Sequence, residues 1–231
     1  MTTIGFIGSG NIGSTVARLA VRAGYDVVMS NSRGPETLAD LVAELGEHAR
    51  AATAEEAAAA GDLAVATVPL KSLHDIPVDA LRGKVVIDTI NYYPQRDGQV
   101  AELDRESTTT SELVQRHLPG SKVVKCFNNI YFEFIERLAR PIDDPDRSVL
   151  PIAGDDTEAK DEVTRVLDAI GFAAYDVGPL SEGWRFQRDT AAYAGLYVAE
   201  GETGWPPRNA RRVDVPLLQE RLAAAKRYKD M

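Results

Sequence analysis

Three glycines spaced Gly8-x-Gly10-x-x-Gly13, with Ser9, Asn11 and Ile12 between them, offer this 231-residue chain a route to chemistry. An apolar run at residues 4–7 reads as a strand directly before them, and a helical pattern starts at residue 11. A turn of this kind suits a dinucleotide. Gly8 permits the tight bend, Gly10 lets the backbone approach a pyrophosphate without a Cβ, and Gly13 lets the helix lie close to the strand. The helix N-terminus then presents unpaired N–H groups and a partial positive charge to the phosphates. A glycine-rich turn can also occur without a ligand, but the strand before and the helix after weigh against that. Which dinucleotide depends on the end of the second expected strand. An NAD site places Asp or Glu there, to bind the ribose 2′-hydroxyl. Here the strand 26–30 ends in Ser30 and continues Asn31-Ser32-Arg33-Gly34. Two hydroxyls, an amide and a guanidinium suit phosphate oxygens, which points to NADP(H). Ser32–Gly34 can equally cap a helix opened by Pro35, and the two roles are compatible.

Parallel sheets hold ligands beyond the carboxyl ends of their strands. Val68-Pro69 and Thr89-Ile90-Asn91 fall at such ends. Pro69 would stiffen the loop over the ribose and nicotinamide, although it also reads as an ordinary strand terminator. Thr89 and Asn91 could hydrogen-bond the ribose or the carboxamide. Asn128, in Phe127-Asn128-Asn129, joins the candidate cofactor set, with capping of a following helix as the alternative role for the two amides. Hydride transfer between a nicotinamide and a tricyclic ring needs no protein nucleophile or metal, so no catalytic side chain is assigned. His48, His74 and His117 lack ligand spacing. His74 reads as a surface helix position rather than part of the groove. Cys126 reads as a small buried hydrophobe. Asp143-Asp144 and Asp155-Asp156 read as a solvated loop and a helix start.

The elements that must position these residues alternate along the chain. Strands are expected at 4–7, 26–30, 62–68, 84–90, 122–127, 148–153 and 174–177. Helices are expected at 11–23, 35–45, 54–60, 111–118, 156–170 and 185–199. Thr53-x-x-Glu56 and Thr109-x-x-Glu112 are capping boxes, and Asp155-x-x-Glu158 resembles a third. Gly24, Gly46 and Gly171 stand where helix C-caps belong. This alternation predicts an α/β fold: a doubly wound, mostly parallel Rossmann-type sheet over residues 1–180. Residues 181–231 would form a small helical C-terminal appendage, with a helix at 216–229, packed on the body or on a partner subunit. A homo-oligomer is compatible with that tail. Residues 91–110 read as a long polar loop, a length that often marks function.

Composition narrows the class of partner. The net charge of −9 disfavours nucleic acid and anionic membrane. A single cysteine precludes an internal disulfide and fits a reducing compartment. No run approaches the ~20 apolar residues of a spanning helix, and no cleavable leader is visible. A cytoplasmic protein acting on a small molecule is expected.

The later motifs carry a family resemblance. They include Val123-Val124-Lys125-Cys126-Phe127-Asn128, Pro151-Ile152-Ala153-Gly154-Asp155-Asp156, Glu158-Ala159-Lys160, Ile170-Gly171-Phe172 and Asp176-Val177-Gly178-Pro179-Leu180. With the glycine turn, Ser32-Arg33 and Val68-Pro69, they resemble the NADPH-dependent reductases of the deazaflavin coenzyme F420. They are also similar to the cytosolic oxidoreductase domain of six-transmembrane ferric reductases. The likeness runs from about residue 3 to residue 185. It implies NADP(H) as cofactor and coenzyme F420, or another flavin, as co-substrate stacked on the nicotinamide. With no membrane half in this chain, no transmembrane electron path is expected. The 91–110 loop, with Tyr92-Tyr93-Pro94-Gln95-Arg96, and the tail after Gly201 depart from the archaeal deazaflavin enzymes, and both could reshape the acceptor site. Arg96 is a candidate for an anionic acceptor tail. The alternatives are an NADPH-dependent reductase of free flavin, quinone, imine or carbonyl, and a non-enzymatic NADPH sensor. The Lys and Asn that β-hydroxyacid dehydrogenases place one turn apart are missing from the segment after Trp184, which ranks a carbonyl acceptor lower.

Overall fold

The structure, a computed structural model, describes residues 1–230. Eight strands form one sheet: β1 (Thr3–Ile7), β2 (Asp26–Ser30), β3 (Ala49–Ala51), β4 (Leu63–Ala66), β5 (Val85–Asp88), β6 (Lys122–Lys125), β7 (Val149–Gly154) and β8 (Ala173–Gly178). Their spatial order is β3-β2-β1-β4-β5-β6-β7-β8. Every neighbouring pair is parallel except β6 with β7. The order reverses at β1, the switch point at which an open α/β sheet opens a crevice for ligand.

Alternate residues explain why the sheet is covered on both faces. Leu63 and Val65 of β4, with Val85 and Ile87 of β5, join one apolar cluster. Ala64, Ala66 and Val86 join another on the opposite face. The first is covered by α1 (Asn11–Arg22), α2 (Ala39–Leu45), α7 (Phe132–Leu138), α8 (Thr157–Ile170) and α9 (Val215–Ala223). The second is covered by α3 (Ala54–Ala60) and α6 (Thr110–His117). Thr53 and Thr109 open α3 and α6 with complete capping boxes, as expected. Gly46 and Gly171 end α2 and α8, and Gly24 follows α1, all with positive φ.

Several expectations need correction. Residues 185–199 are not a helix but two 3-10 turns, Leu180–Phe186 and Ala194–Tyr197, joined by irregular chain. Asp189 sits at φ 68 and the Thr190 hydroxyl donates to the Gln187 carbonyl, a local bond that competes with helix. The N-cap of α8 is Asp156, which accepts from the Ala159 N–H, while Asp155 turns away to accept from Leu180 N–H. The 91–110 loop contains two single helical turns, α4 (Pro94–Asp97) and α5 (Ala101–Asp104), with Leu103 buried. The last helix, α9, ends at Ala223. The edge strand β3 and helix α7 were not among the expected elements.

The segment after residue 180 shares the main core. Phe186, Ala192, Leu196, Tyr197, Val213, Leu218 and Leu222 belong to the same cluster as β1 and β2. The Tyr197 hydroxyl donates to Val149 O at 2.9 Å, and Val149 N–H donates to Val213 O. No helix among the described residues is long and apolar enough to cross a membrane.

Candidate functional site

Ile7 ends β1, and the chain turns at Gly8 with φ 109, a conformation that disfavours any side chain. A Cβ on Gly13 would lie 2.6 Å from both Gly8 O and Thr67 Cγ2, so only glycine lets α1 sit this close. Gly10 differs. It caps α1 without a side-chain hydrogen bond, and a Cβ built on it meets nothing within 4 Å. The space above Gly10 is therefore open, beside the free N–H groups of a 12-residue helix with no acid in its first turn. That is the cradle a pyrophosphate requires.

Two clefts meet at this turn. One, of about 300 Å³, is lined by Ile7, Gly8, Ser9 and Gly10, by Ser30, Asn31, Ser32 and Arg33, and by Thr67, Val68 and Pro69. The other, of about 440 Å³, shares Gly10, Thr67, Val68 and Pro69 and adds Asn11, Ile12, Thr89, Asn91 and Asn128. Every expected cofactor residue except Gly13 lines this double groove, and Gly13 lies buried beneath the turn.

The candidates do different jobs. Ser30 is buried and its hydroxyl donates to Phe6 O at 2.7 Å, tying β2 to β1 rather than facing the cleft with a free hydrogen. Asn31 shapes the loop: its Oδ1 accepts from Arg33 N–H and its Nδ2 donates to the Thr37 hydroxyl. Ser32 and Arg33 are exposed at the rim. The capping alternative for Ser32–Gly34 is not realised by a side chain, since Gly34 precedes the turn at Pro35 without a side-chain cap bond. One carboxylate, Asp75, also lines this cleft, from the 3-10 turn Leu70–Asp75.

Beyond β5 and β6 the strands stop short of their expected ends, at Asp88 and Lys125, because the next residues leave the ladder to build the floor. Thr89 donates to Ala66 O at 3.2 Å. Asn91 Nδ2 donates to Asn128 O at 2.7 Å, and Asn128 Nδ2 donates to Asn91 Oδ1 at 3.2 Å and to Phe186 O at 2.9 Å. Asn129 Nδ2 donates to Ala192 O. The two amides thus cross-link the floor to the tail instead of capping α7. The Asn91 and Phe186 acceptors fix the Asn128 amide so that its nitrogen faces them. Its buried Oδ1 is left with no protein partner. That oxygen is closed to solvent as well as unpaired.

Directly behind the floor lies a charged pair. Lys125 Nζ is 3.9 Å from Asp88 Oδ2 and donates to Ile90 O at 3.1 Å and Thr110 Oγ1 at 3.3 Å. Asp88 also accepts from Ile90 N–H and the Ser111 hydroxyl. Burial pushes the Lys125 ammonium below the usual lysine range, against the opposing pull of Asp88. Lys125 belongs to the stretch that carries the family resemblance, but neither residue has a role assigned from the sequence. Cys126 is buried, as expected, and burial raises its thiol pKa.

The outer half of the larger cleft is aromatic. Tyr93, Tyr131, Phe132, Tyr193 and Trp205 line it with Arg96, and no carboxylate does. Tyr131 lies 5.4 Å from the Trp205 ring. Tyr93 and Tyr193 hydroxyls meet at 2.6 Å although they are 100 residues apart. Burial, then the Tyr93 hydroxyl, raises the Tyr193 phenol, so it stays protonated. Arg96 lines the cleft and also takes part in a clamp. Its Nε and Nη2 clamp Asp97, and Nη2 also holds Asn91 O at 3.0 Å. His74 is exposed, as expected, and packs edge-on against His117 at 5.4 Å. Among the described residues no cluster of three metal-type side chains occurs.

A sequence model of the family described as "NADP oxidoreductase coenzyme F420-dependent" matches residues 3–92. The chain is 31% identical over 181 residues to metalloreductase STEAP3 of Rattus norvegicus. That match covers 77% of this chain and 34% of the relative, so the chain spans about a third of its length. Among solved structures it is similar to a hypothetical protein of Sinorhizobium meliloti, with 30% identity and TM-score 0.72 over 84% of this chain and 94% of that one. It is also similar to a structure from Arthrobacter sp. FB24 described as an F420-dependent NADP-reductase. There the identity is 23% and the TM-score 0.68 over 79% of this chain and 87% of that one, a likeness in fold.

Proposed function

The chain belongs to the coenzyme F420-dependent NADP oxidoreductase family, and from that membership we propose that it transfers a hydride between NADP(H) and the deazaflavin coenzyme F420. The observation that carries this reading is the continuous groove. It runs from Ser32 and Arg33, across the open cradle at Gly10, to an aromatic cleft without carboxylates. Arg33 is the cation that would meet a 2′-phosphate, and the N-terminus of α1 would meet the pyrophosphate. Asn91 and Asn128, which line the cleft beyond the cradle, would border the nicotinamide. When bound, NADPH supplies the hydride. The aromatic walls would hold a flat tricycle and exclude water, so the protein contributes alignment rather than a nucleophile. A second reading, reduction of an imine, carbonyl or free flavin, is supported by the tyrosine hydroxyl pair in the same cleft, a polar group such acceptors could use.

Following absorbance after mixing protein and NADPH with coenzyme F420, free flavin, and a panel of carbonyls and imines tests the proposal. Turnover confined to the deazaflavin supports it; turnover only with another acceptor overturns it. The cofactor half is tested separately. Arg33→Ala should weaken NADPH binding ~10- to 100-fold, the worth of a charge-assisted hydrogen bond, and leave NADH binding unchanged. Equal losses for both cofactors would remove Arg33 from the 2′-phosphate site.

A further inference from the structure

The acceptor cleft contains one polar arrangement that flat stacking does not require. Tyr93 comes from the loop after β5 and Tyr193 from the turn before Ala194–Tyr197, yet their hydroxyls stand 2.6 Å apart in the wall of the cleft that also contains Thr89, Asn91 and Asn128. Two phenols carry two hydroxyl hydrogens. One is used between them, and among the described residues neither hydroxyl has a further protein partner. One donor therefore remains. We propose that this Tyr93–Tyr193 pair is the hydrogen-bond donor of the acceptor site, contacting the ring nitrogen or carbonyl oxygen of the acceptor on which negative charge accumulates. The inference deepens the deazaflavin reading and rests on it.

Three features suit the pair to that role. The cleft wall has no carboxylate to compete for the donor. Two guanidinium groups, Arg96 at 4.7 Å and Arg188 at 5.2 Å, pack over the Tyr93 ring and hold it in place. Arg188 is also held by Asp189 at 2.9 Å, and Arg96 by Asp97, so both cations are fixed in place. Tyr193 remains protonated because its phenolate would be buried, so the pair donates a hydrogen bond without giving up its proton. The step balances as follows. The C4–H bond of the reduced nicotinamide would break with its electron pair, oxidising NADPH to NADP+. The hydride would form a C–H bond at an electrophilic ring carbon of the acceptor, and the displaced π pair would move to a conjugated nitrogen or oxygen. The phenol would bond that atom while the charge grows, and bulk solvent would supply the neutralising proton once the reduced acceptor leaves the cleft. A donor fixed in advance toward developing charge is stronger than one that must reorganise.

The test uses the full-length protein with Tyr93→Phe, Tyr193→Phe and the double variant, which keep the rings and remove only oxygens. The double variant should lose ~10²-fold in kcat with coenzyme F420, the low end for losing such a donor, with little change in acceptor KM. NADPH affinity, measured by fluorescence, should not move. A readout apart from turnover is the affinity for oxidised and reduced coenzyme F420 in dead-end complexes, with NADP+ and NADPH respectively. The reduced form carries more negative charge on the ring heteroatoms, so the double variant should weaken it more than the oxidised form. Wild-type kcat, or an equal loss of affinity for both forms, overturns the donor role while leaving the deazaflavin reading intact. Wild-type protein that neither binds nor reduces coenzyme F420 overturns that reading, and this inference with it.

Discussion

At the scale of single residues the glycine turn separates two roles that its spacing alone merges. Gly13 is sterically required, since a methyl group would strike Gly8 O and Thr67 Cγ2. Gly10 has an ordinary φ of −70 and empty space around it. Gly10→Ala should therefore fold with an unchanged thermal midpoint and lose NADPH binding by at least ~10²-fold, because the new methyl group occupies the cradle of the pyrophosphate. Gly13→Ala should lower the midpoint, with an overpacking cost of ~1–3 kcal/mol. Thermal melts and fluorescence titration check both, and full NADPH binding by Gly10→Ala would place the phosphates elsewhere. The turn was legible in the sequence because its three glycines are local and flanked by a strand and a helix. The 91–110 loop and the tail after Gly201 stood out in the sequence, but the pairings that build the far cleft did not. Tyr93 with Tyr193, and Asn128 with Phe186, meet across 100 and 58 residues, and neither pairing leaves a periodic or spacing signal.

Elements show the same division between local and distant causes. The capping boxes at Thr53 and Thr109, and the glycine C-caps, were readable because their hydrogen bonds close within one turn. The strands end earlier than expected because apolar runs continue past the ladder: Ile90 and Phe127 are buried beyond β5 and β6, and Cys126 makes a last backbone bond to Asp88 O. Residues 185–199 do not form the expected helix because tertiary anchors, among them Phe186, Ala192 and Tyr197, hold an irregular path. Helix propensity is too weak to override such packing. What joins β5, β6 and α6 at the floor is the buried Lys125–Asp88 pair with Thr110 and Ser111. Removing one partner of a buried pair strands the other charge, at ~3–5 kcal/mol. Lys125→Ala should cost about 3 kcal/mol, the low end, because Asp88 keeps its bonds from Ile90 N–H and the Ser111 hydroxyl. A lower urea midpoint at unchanged slope would show it. Wild-type stability would mean that Lys125 is neutral or that water replaces it.

For the whole molecule, the tail after residue 180 completes the wall of the larger cleft. Tyr193, Ala194 and Trp205 form part of the outer wall, and Phe186 O and Ala192 O hold the two floor amides. The last residues then return to the 91–110 loop. Glu106, at φ 54, accepts from Tyr228 N–H at 2.8 Å and Lys229 N–H at 3.2 Å, and Arg227 lies over Trp184 at 4.5 Å. The Tyr228 hydroxyl donates to Arg188 O at 2.8 Å. These bonds are at the surface, so each contributes modestly, ~0.5–1.5 kcal/mol. Together they tether a loop that carries Tyr93 and Arg96 but make no bond to the glycine turn. Ending the chain after Ala225 should therefore leave sheet protection and NADPH affinity unchanged. Amide exchange across residues 91–108 should rise, because local opening follows the loss of local tethers. The KM for the acceptor should rise several-fold with the mobility of its wall. Unchanged exchange in that loop would show that α4, α5 and the Arg96–Asp97 clamp hold the wall without the C-terminal strap.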